Sequence, residues 1–99
     1  MEIHNHIYLD HNATTSMRPE ARNAVLSVLE TTGNPSSIHM HGRRARSILE
    51  QSRASIANFV NAANEDVIFT SGGTEANNLA LLGCDRPRKV VSAVEHSSV

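Results

Sequence analysis

Cysteine, lysine, tryptophan and long apolar runs are scarce or missing in this chain of 99 residues, and each shortage excludes something. Cys84 is the single cysteine, so an internal disulfide cannot form and a four-cysteine zinc site is ruled out. Tryptophan is absent, and Tyr8, Phe59 and Phe69 are the only aromatic residues. Core layers must therefore come from Val, Leu, Ile and Ala. Few stacking platforms and a formal net charge of −1 leave no basis for nucleic-acid binding. Arg43, Arg44, Arg46 and Arg53 read instead as a solvated helix face. No stretch is long and apolar enough for a transmembrane helix, and residues 1–8 are too polar for a signal peptide. A reducing, cytoplasmic setting is expected, with no membrane and no nucleic-acid partner.

Hydrophobic residues make up 39% of the chain, enough for a small core but one that is only marginally stabilised at this length. Residues 7–9 are a short apolar stretch, and Asp10-His11-Asn12-Ala13-Thr14-Thr15 reads as a loop of backbone-bonding side chains. Pro19 sits where a first helical residue belongs, and Ala21, Val25, Leu26, Val28 and Leu29 follow at helical spacing up to a stop at Gly33. Gly33-Asn34-Pro35-Ser36-Ser37 is a second loop, and a longer helix is predicted from about residue 42 to 61.

Val67-Ile68-Phe69-Thr70 and Lys89-Val90-Val91-Ser92-Ala93-Val94 have the composition of strands buried on both faces. Between them come Ser71-Gly72-Gly73-Thr74-Glu75, a sharp turn, and a helix over residues 76–82 closed by Gly83. That order predicts an α/β fold with one parallel βαβ unit after two N-terminal helices. The division expected is residues 1–17 as an N-terminal segment and loop, 18–62 as two helices, and 63–99 as the start of a larger sheet domain. Two parallel strands do not make a domain, so the sequence is expected to be an incomplete piece of one.

The glycine-softened turn at 71–75 brings backbone N–H groups to a helix N-terminus, where an anion such as phosphate is favoured. It lacks the Gly-Lys-Ser/Thr of a P-loop and the Gly-x-Gly-x-x-Gly of a dinucleotide site. On the glycine pair alone, a tight turn requiring positive φ fits as well. His96 follows the second predicted strand, on the edge where open α/β sheets bind ligands. Its imidazole can stack on a cofactor ring or handle protons, or it can be an ordinary surface histidine. His39 and His41 form a His-x-His pair without further ligands at suitable spacing, and His4-Asn5-His6 matches a nuclease motif in three letters only, so no metal site is expected.

Four segments in this order resemble one family. They are Tyr8-Leu9-Asp10-His11-Asn12-Ala13-Thr14-Thr15, Gly33-Asn34-Pro35-Ser36-Ser37-Ile38-His39, Ile68-Phe69-Thr70-Ser71-Gly72-Gly73-Thr74-Glu75-Ala76-Asn77-Asn78, and Glu95-His96. The chain is similar to the N-terminal part of cysteine desulfurases of the NifS/IscS kind, class V aminotransferases with the type I pyridoxal-phosphate (PLP) fold. The resemblance implies a mainly parallel seven-stranded large domain, a smaller C-terminal domain and a homodimer. It implies pyridoxal 5'-phosphate as cofactor, with its phosphate held by Gly73 and Thr74 and its ring stacked on His96, which would assist proton transfers. Asn12, Ala13, Thr14 and Asn34 would line the substrate side.

The implied reaction takes sulfur from L-cysteine as an enzyme persulfide and releases L-alanine. The sulfur passes to an acceptor or scaffold protein for iron–sulfur cluster assembly or tRNA thiolation. The family's tethering lysine, pyridine-pairing aspartate and persulfide cysteine have no counterpart here. Lys89, the only lysine, matches no tethering motif, and Cys84 reads as a structural, at least partly buried thiol. No catalytic residue is therefore assigned, and these residues alone are expected to be inactive. The alternatives are another class V enzyme, such as a selenocysteine lyase or an aminotransferase, or a non-catalytic remnant or interaction module.

Overall fold

The computed structural model describes residues 7–99, so His4-Asn5-His6 lies outside the described residues. Three α-helices and one 3-10 turn make up its regular structure: α1 (Pro19–Leu29), α2 (Met40–Val60), the turn Asn64–Asp66, and α3 (Gly73–Gly83). The chain divides into two units, Met1–Glu50 and Gln51–Val99, with α2 running through the division.

In the first unit, Tyr8 closes the loop that follows it. Its hydroxyl reaches the carbonyls of Asp10 at 2.9 Å and Thr14 at 3.0 Å. The His11 ring packs edge-on against Tyr8, with centroids 4.9 Å apart, and its Nδ1 lies 3.0 Å from Thr15 Oγ1. Pro19 opens α1, where a missing N–H costs nothing. The helix stops at Leu29, four residues before the expected glycine, because Thr31 turns back: its N–H bonds Val28 O and its hydroxyl bonds Ser27 O.

Asn34 then shapes the second loop, its Oδ1 accepting from the Ser36 N–H and its carbonyl from the Ser37 N–H. His39 starts α2 two residues earlier than expected. Its Nδ1 accepts the Gly42 N–H at 3.3 Å, an imidazole used as a helix cap. Loop and helix meet at Gly42, which is buried: a Cβ there would lie 2.2 Å from Ser37 O.

In the second unit, α2 ends in a Schellman motif. Asn61 takes the left-handed conformation at φ 55°, Ala62 N–H bonds Ala57 O, and Asn61 N–H bonds Asn58 O. Arg53 does not belong to a solvated face. It is half-buried, donates to the Val67 carbonyl, and stacks 5.0 Å above the Phe69 ring.

The predicted βαβ unit is not formed. No β-ladder exists among the described residues, and residues 67–70 and 89–92 carry no regular structure. Val67 has extended torsions, φ −96° and ψ 117°, but its carbonyl is taken by Arg53. The second stretch bends into a turn at residues 93–94, where Ser92 Oγ accepts the Val94 N–H. Ile68 is 67% exposed and Val90 97%, so the side chains expected between layers face no layer. A parallel pair needs partners on both faces and a long crossover. Two short runs offer too little ladder to offset the closure of that loop.

The central helix does form, and it is longer than expected. It starts at Gly73 because Glu75 reaches back to Ser71, and it runs through Gly83, with Cys84 as an extended cap. No glycine among the described residues has positive φ, so neither the turn nor the helix end uses a left-handed glycine. Cys84 is exposed rather than buried. No described helix is long and apolar enough to cross a membrane.

Candidate functional site

The first turn of α3 is built by its own side chains. Gly72 precedes it with φ 170°, an extended conformation open to any residue. The Glu75 carboxylate accepts both the backbone N–H and the hydroxyl of Ser71, each at 2.7 Å. This pair of bonds from Ser71 to one carboxylate fixes the direction in which the chain enters the helix. The two Ser71 donors hold the Glu75 carboxyl below its usual range, the side-chain bond contributing most. Thr70 adds a bond from its hydroxyl to Gly72 O at 3.1 Å, and the Ala76 N–H to Gly72 O closes the first helical turn.

The helix leaves the N–H groups of Gly73, Thr74 and Glu75 without intrahelical acceptors. Apart from the adjoining residues and the helix's own backbone, no atom lies within 4 Å of where a Cβ would sit on Gly72 or Gly73. Amide donors, the positive end of the helix and open space above the glycines together suit an anion of phosphate size. The chemistry of this turn therefore fits the phosphate of pyridoxal phosphate.

His96 is exposed, and its segment is tied to the same helix. Asn77, one turn into α3, donates from Nδ2 to Ser98 Oγ at 2.9 Å, and Ser98 in turn contacts His96 Nδ1. Gly73, Thr74 and His96 thus all belong to the second unit and share α3 as their support. Asn12, Ala13, Thr14 and Asn34 lie in the first unit, the first three on the turn clamped by Tyr8 and the last in the loop before α2. An open depression of about 430 Å³ in that unit, lined by Ser27, Glu30, Thr31, Thr32, His41 and Arg44, includes none of the candidate residues.

His39 and His41 have ring centroids 6.1 Å apart. Among the described residues no group of three or more His, Cys, Asp or Glu side chains is arranged to hold a metal ion. No site role follows from sequence for Ser98, Asn77 or Tyr8, although Tyr8 and Asn77 lie within the family-bearing segments, and these three shape the candidate sites. The Ser71–Glu75 spacing at a helix start was the one readable signal, a capping pattern displaced by one position.

Comparison with known proteins places these features in a family context. The family model described as Aminotransferase class-V matches residues 7–99. The IscS-like cysteine desulfurase of Mycobacterium tuberculosis is 46% identical over 101 residues, covering 93% of this chain and 26% of the relative. The cysteine desulfurase IscS of Dictyoglomus turgidum is 43% identical over 100 residues, covering 94% of this chain and 25% of the relative. The selenocysteine lyase of Rattus norvegicus is 47% identical over 76 residues, covering 76% of this chain and 18% of the relative. The chain thus spans about a quarter of the length of the desulfurases it matches.

Proposed function

Because the chain belongs to the class-V aminotransferase family, we propose that it is the N-terminal part of a pyridoxal-phosphate enzyme of the cysteine desulfurase type. Such an enzyme converts L-cysteine to L-alanine and passes the sulfur to an acceptor protein. The observation that carries this reading is the support shared by Gly73, Thr74 and His96. The helix whose first turn offers the anion cradle also anchors the segment that bears His96.

When bound, pyridoxal phosphate supplies an electron sink for breaking bonds at the substrate Cα. The chain's own residues do the holding. Gly73 and Thr74 would present N–H groups, and Thr74 a hydroxyl, to the phosphate. Glu75 keeps that turn in shape through Ser71. His96 would cover the ring. Asn12, Ala13 and Thr14, on the turn clamped by Tyr8, and Asn34, in its own folded loop, line the substrate side.

Residues 1–17 form the entry segment, 18–62 the two helices and 63–99 the start of the cofactor domain. A homodimer in a reducing cytoplasm completes the reading. Neither Lys89 nor Cys84 occupies a tethering or persulfide motif, so the 99 residues are not expected to turn over cysteine alone.

Amide spectra of the 15N-labelled chain test the cofactor site. Inorganic phosphate and pyridoxal phosphate should both shift the Gly73 and Thr74 amides. Only pyridoxal phosphate should shift the His96 ring. Shifts that leave residues 72–75 unmoved would remove the basis for the reading. Release of selenium from selenocysteine is a second reading, favoured by the likeness to the rat selenocysteine lyase. Competition between the two amino acids for a longer protein carrying this segment separates them.

A further inference from the structure

Asn77, Ser98 and His96 form a chain of hydrogen bonds from the interior of α3 to an exposed ring. The Ser98 backbone N–H donates to His96 Nδ1 at 3.1 Å, and the Ser98 hydroxyl lies 2.9 Å from the same nitrogen. Asn77 Nδ2 donates to Ser98 Oγ at 2.9 Å. Counting donors fixes the state of the ring. A backbone N–H can only donate, so Nδ1 must offer its lone pair, and the proton of the neutral imidazole sits on Nε2. Asn77 supplies a proton to the serine oxygen, so the serine's own hydrogen is left to point at Nδ1 as well. Two donors converge on one lone pair. Asn77 and Ser98 are half-buried whereas His96 is exposed, so the anchor is shielded while the ring stays accessible.

We infer that Ser98, braced by Asn77, is a positioning residue that holds His96 as the Nε2–H tautomer, with its only lone pair turned toward the protein. This rests on the reading of His96 as the residue that faces the cofactor ring, and it narrows what His96 does there. A ligand meets a flat ring and an N–H donor, not a base. The ring can stack, and it can donate to an oxygen or nitrogen acceptor at the ligand's edge. Its only lone pair is at Nδ1, where a proton would displace the Ser98 backbone N–H and turn the Ser98 hydroxyl from donor to acceptor.

Long-range 1H–15N correlation spectra of the labelled 99-residue chain, recorded without cofactor near neutral pH, test this directly. The wild type should show one tautomer, with Nδ1 in the lone-pair range and Nε2 in the protonated range. Ser98→Pro, which removes both the backbone and the hydroxyl donor, should move the two nitrogens to a common average, and Asn77→Ala and Ser98→Ala, which leave the backbone N–H in place, should move them part of the way, with helix content unchanged by far-ultraviolet circular dichroism. Ser98→Thr, which keeps both donors, should restore the wild-type pattern.

An averaged or Nδ1–H spectrum in the wild type overturns the inference. So do variant spectra identical to the wild type. A merely structural role for Ser98 would alter helix content but not the tautomer. Addition of pyridoxal phosphate forms the second arm. A single tautomer whose ring resonances ignore the cofactor upholds the positioning role and defeats the cofactor reading of His96. An averaged tautomer that responds to the cofactor does the reverse.

Discussion

At the residue scale, the turn before α3 depends on one ionised carboxyl. Hydrogen bonds from Ser71 favour the charged form of Glu75 and lower its pKa. Their contribution is full above the ordinary glutamate value of about 4.3 and is lost as pH falls below it through the lowered native value. Helix content should therefore drop on acidification in the wild type. Glu75→Gln should flatten that limb in a circular-dichroism titration. Because Glu75 is fully exposed to solvent, the effect should also shrink in high salt.

Two glycines at the same scale should respond in opposite directions. A Cβ on Gly42 meets Ser37 backbone oxygen and carbon at 2.2 and 2.7 Å, atoms that cannot swing aside. Overpacking of about 1–3 kcal/mol should outweigh the gain of up to about 1 kcal/mol from replacing a helical glycine, so Gly42→Ala should destabilise. Gly83 has nothing within 4 Å and sits in the last turn of α3, so Gly83→Ala should be neutral or stabilising by up to about 1 kcal/mol. Urea midpoints measured side by side check both signs.

At the scale of elements, the helices were legible and the strands were not. Pro19 and the apolar spacing of Val25, Leu26 and Leu29 specify α1 by rules that act within a few residues. The same is true of α2, whose end is set by Asn61 in the left-handed region. Residues 67–70 have the composition of a strand, but a strand exists only with a partner at the right register. Here their neighbour is an arginine. Arg53 holds this segment through the Val67 carbonyl and the face of Phe69, a link from the middle of α2 that sequence spacing does not reveal. Arg53→Met should free the segment. The cation–π contact alone is worth about 0.5–1 kcal/mol, and limited proteolysis after Phe69 should speed up accordingly. Unchanged cleavage would show that the segment is held by something else.

For the whole molecule, the scarcity of buried side chains governs behaviour. Ala57 is the only fully buried hydrophobic residue among those described, while Phe59 is 90% exposed and Val94 91%. The chain should bind an apolar fluorescent dye under native conditions and unfold over a broad temperature range. A sharp, cooperative transition without dye binding would contradict the observed exposure.

What the sequence alone determined is local: that three helices form and in what order, that Pro19 opens the first, and which family the motifs belong to. These follow from caps, periodicity and order along the chain, all short-range properties. The tertiary structure decided which groups meet. It seated Gly42 against Ser37, spent Val67's carbonyl on Arg53, and joined His96 to α3 through Ser98 and Asn77. Such pairings depend on where distant backbone segments come to rest, and no spacing rule within either segment encodes that.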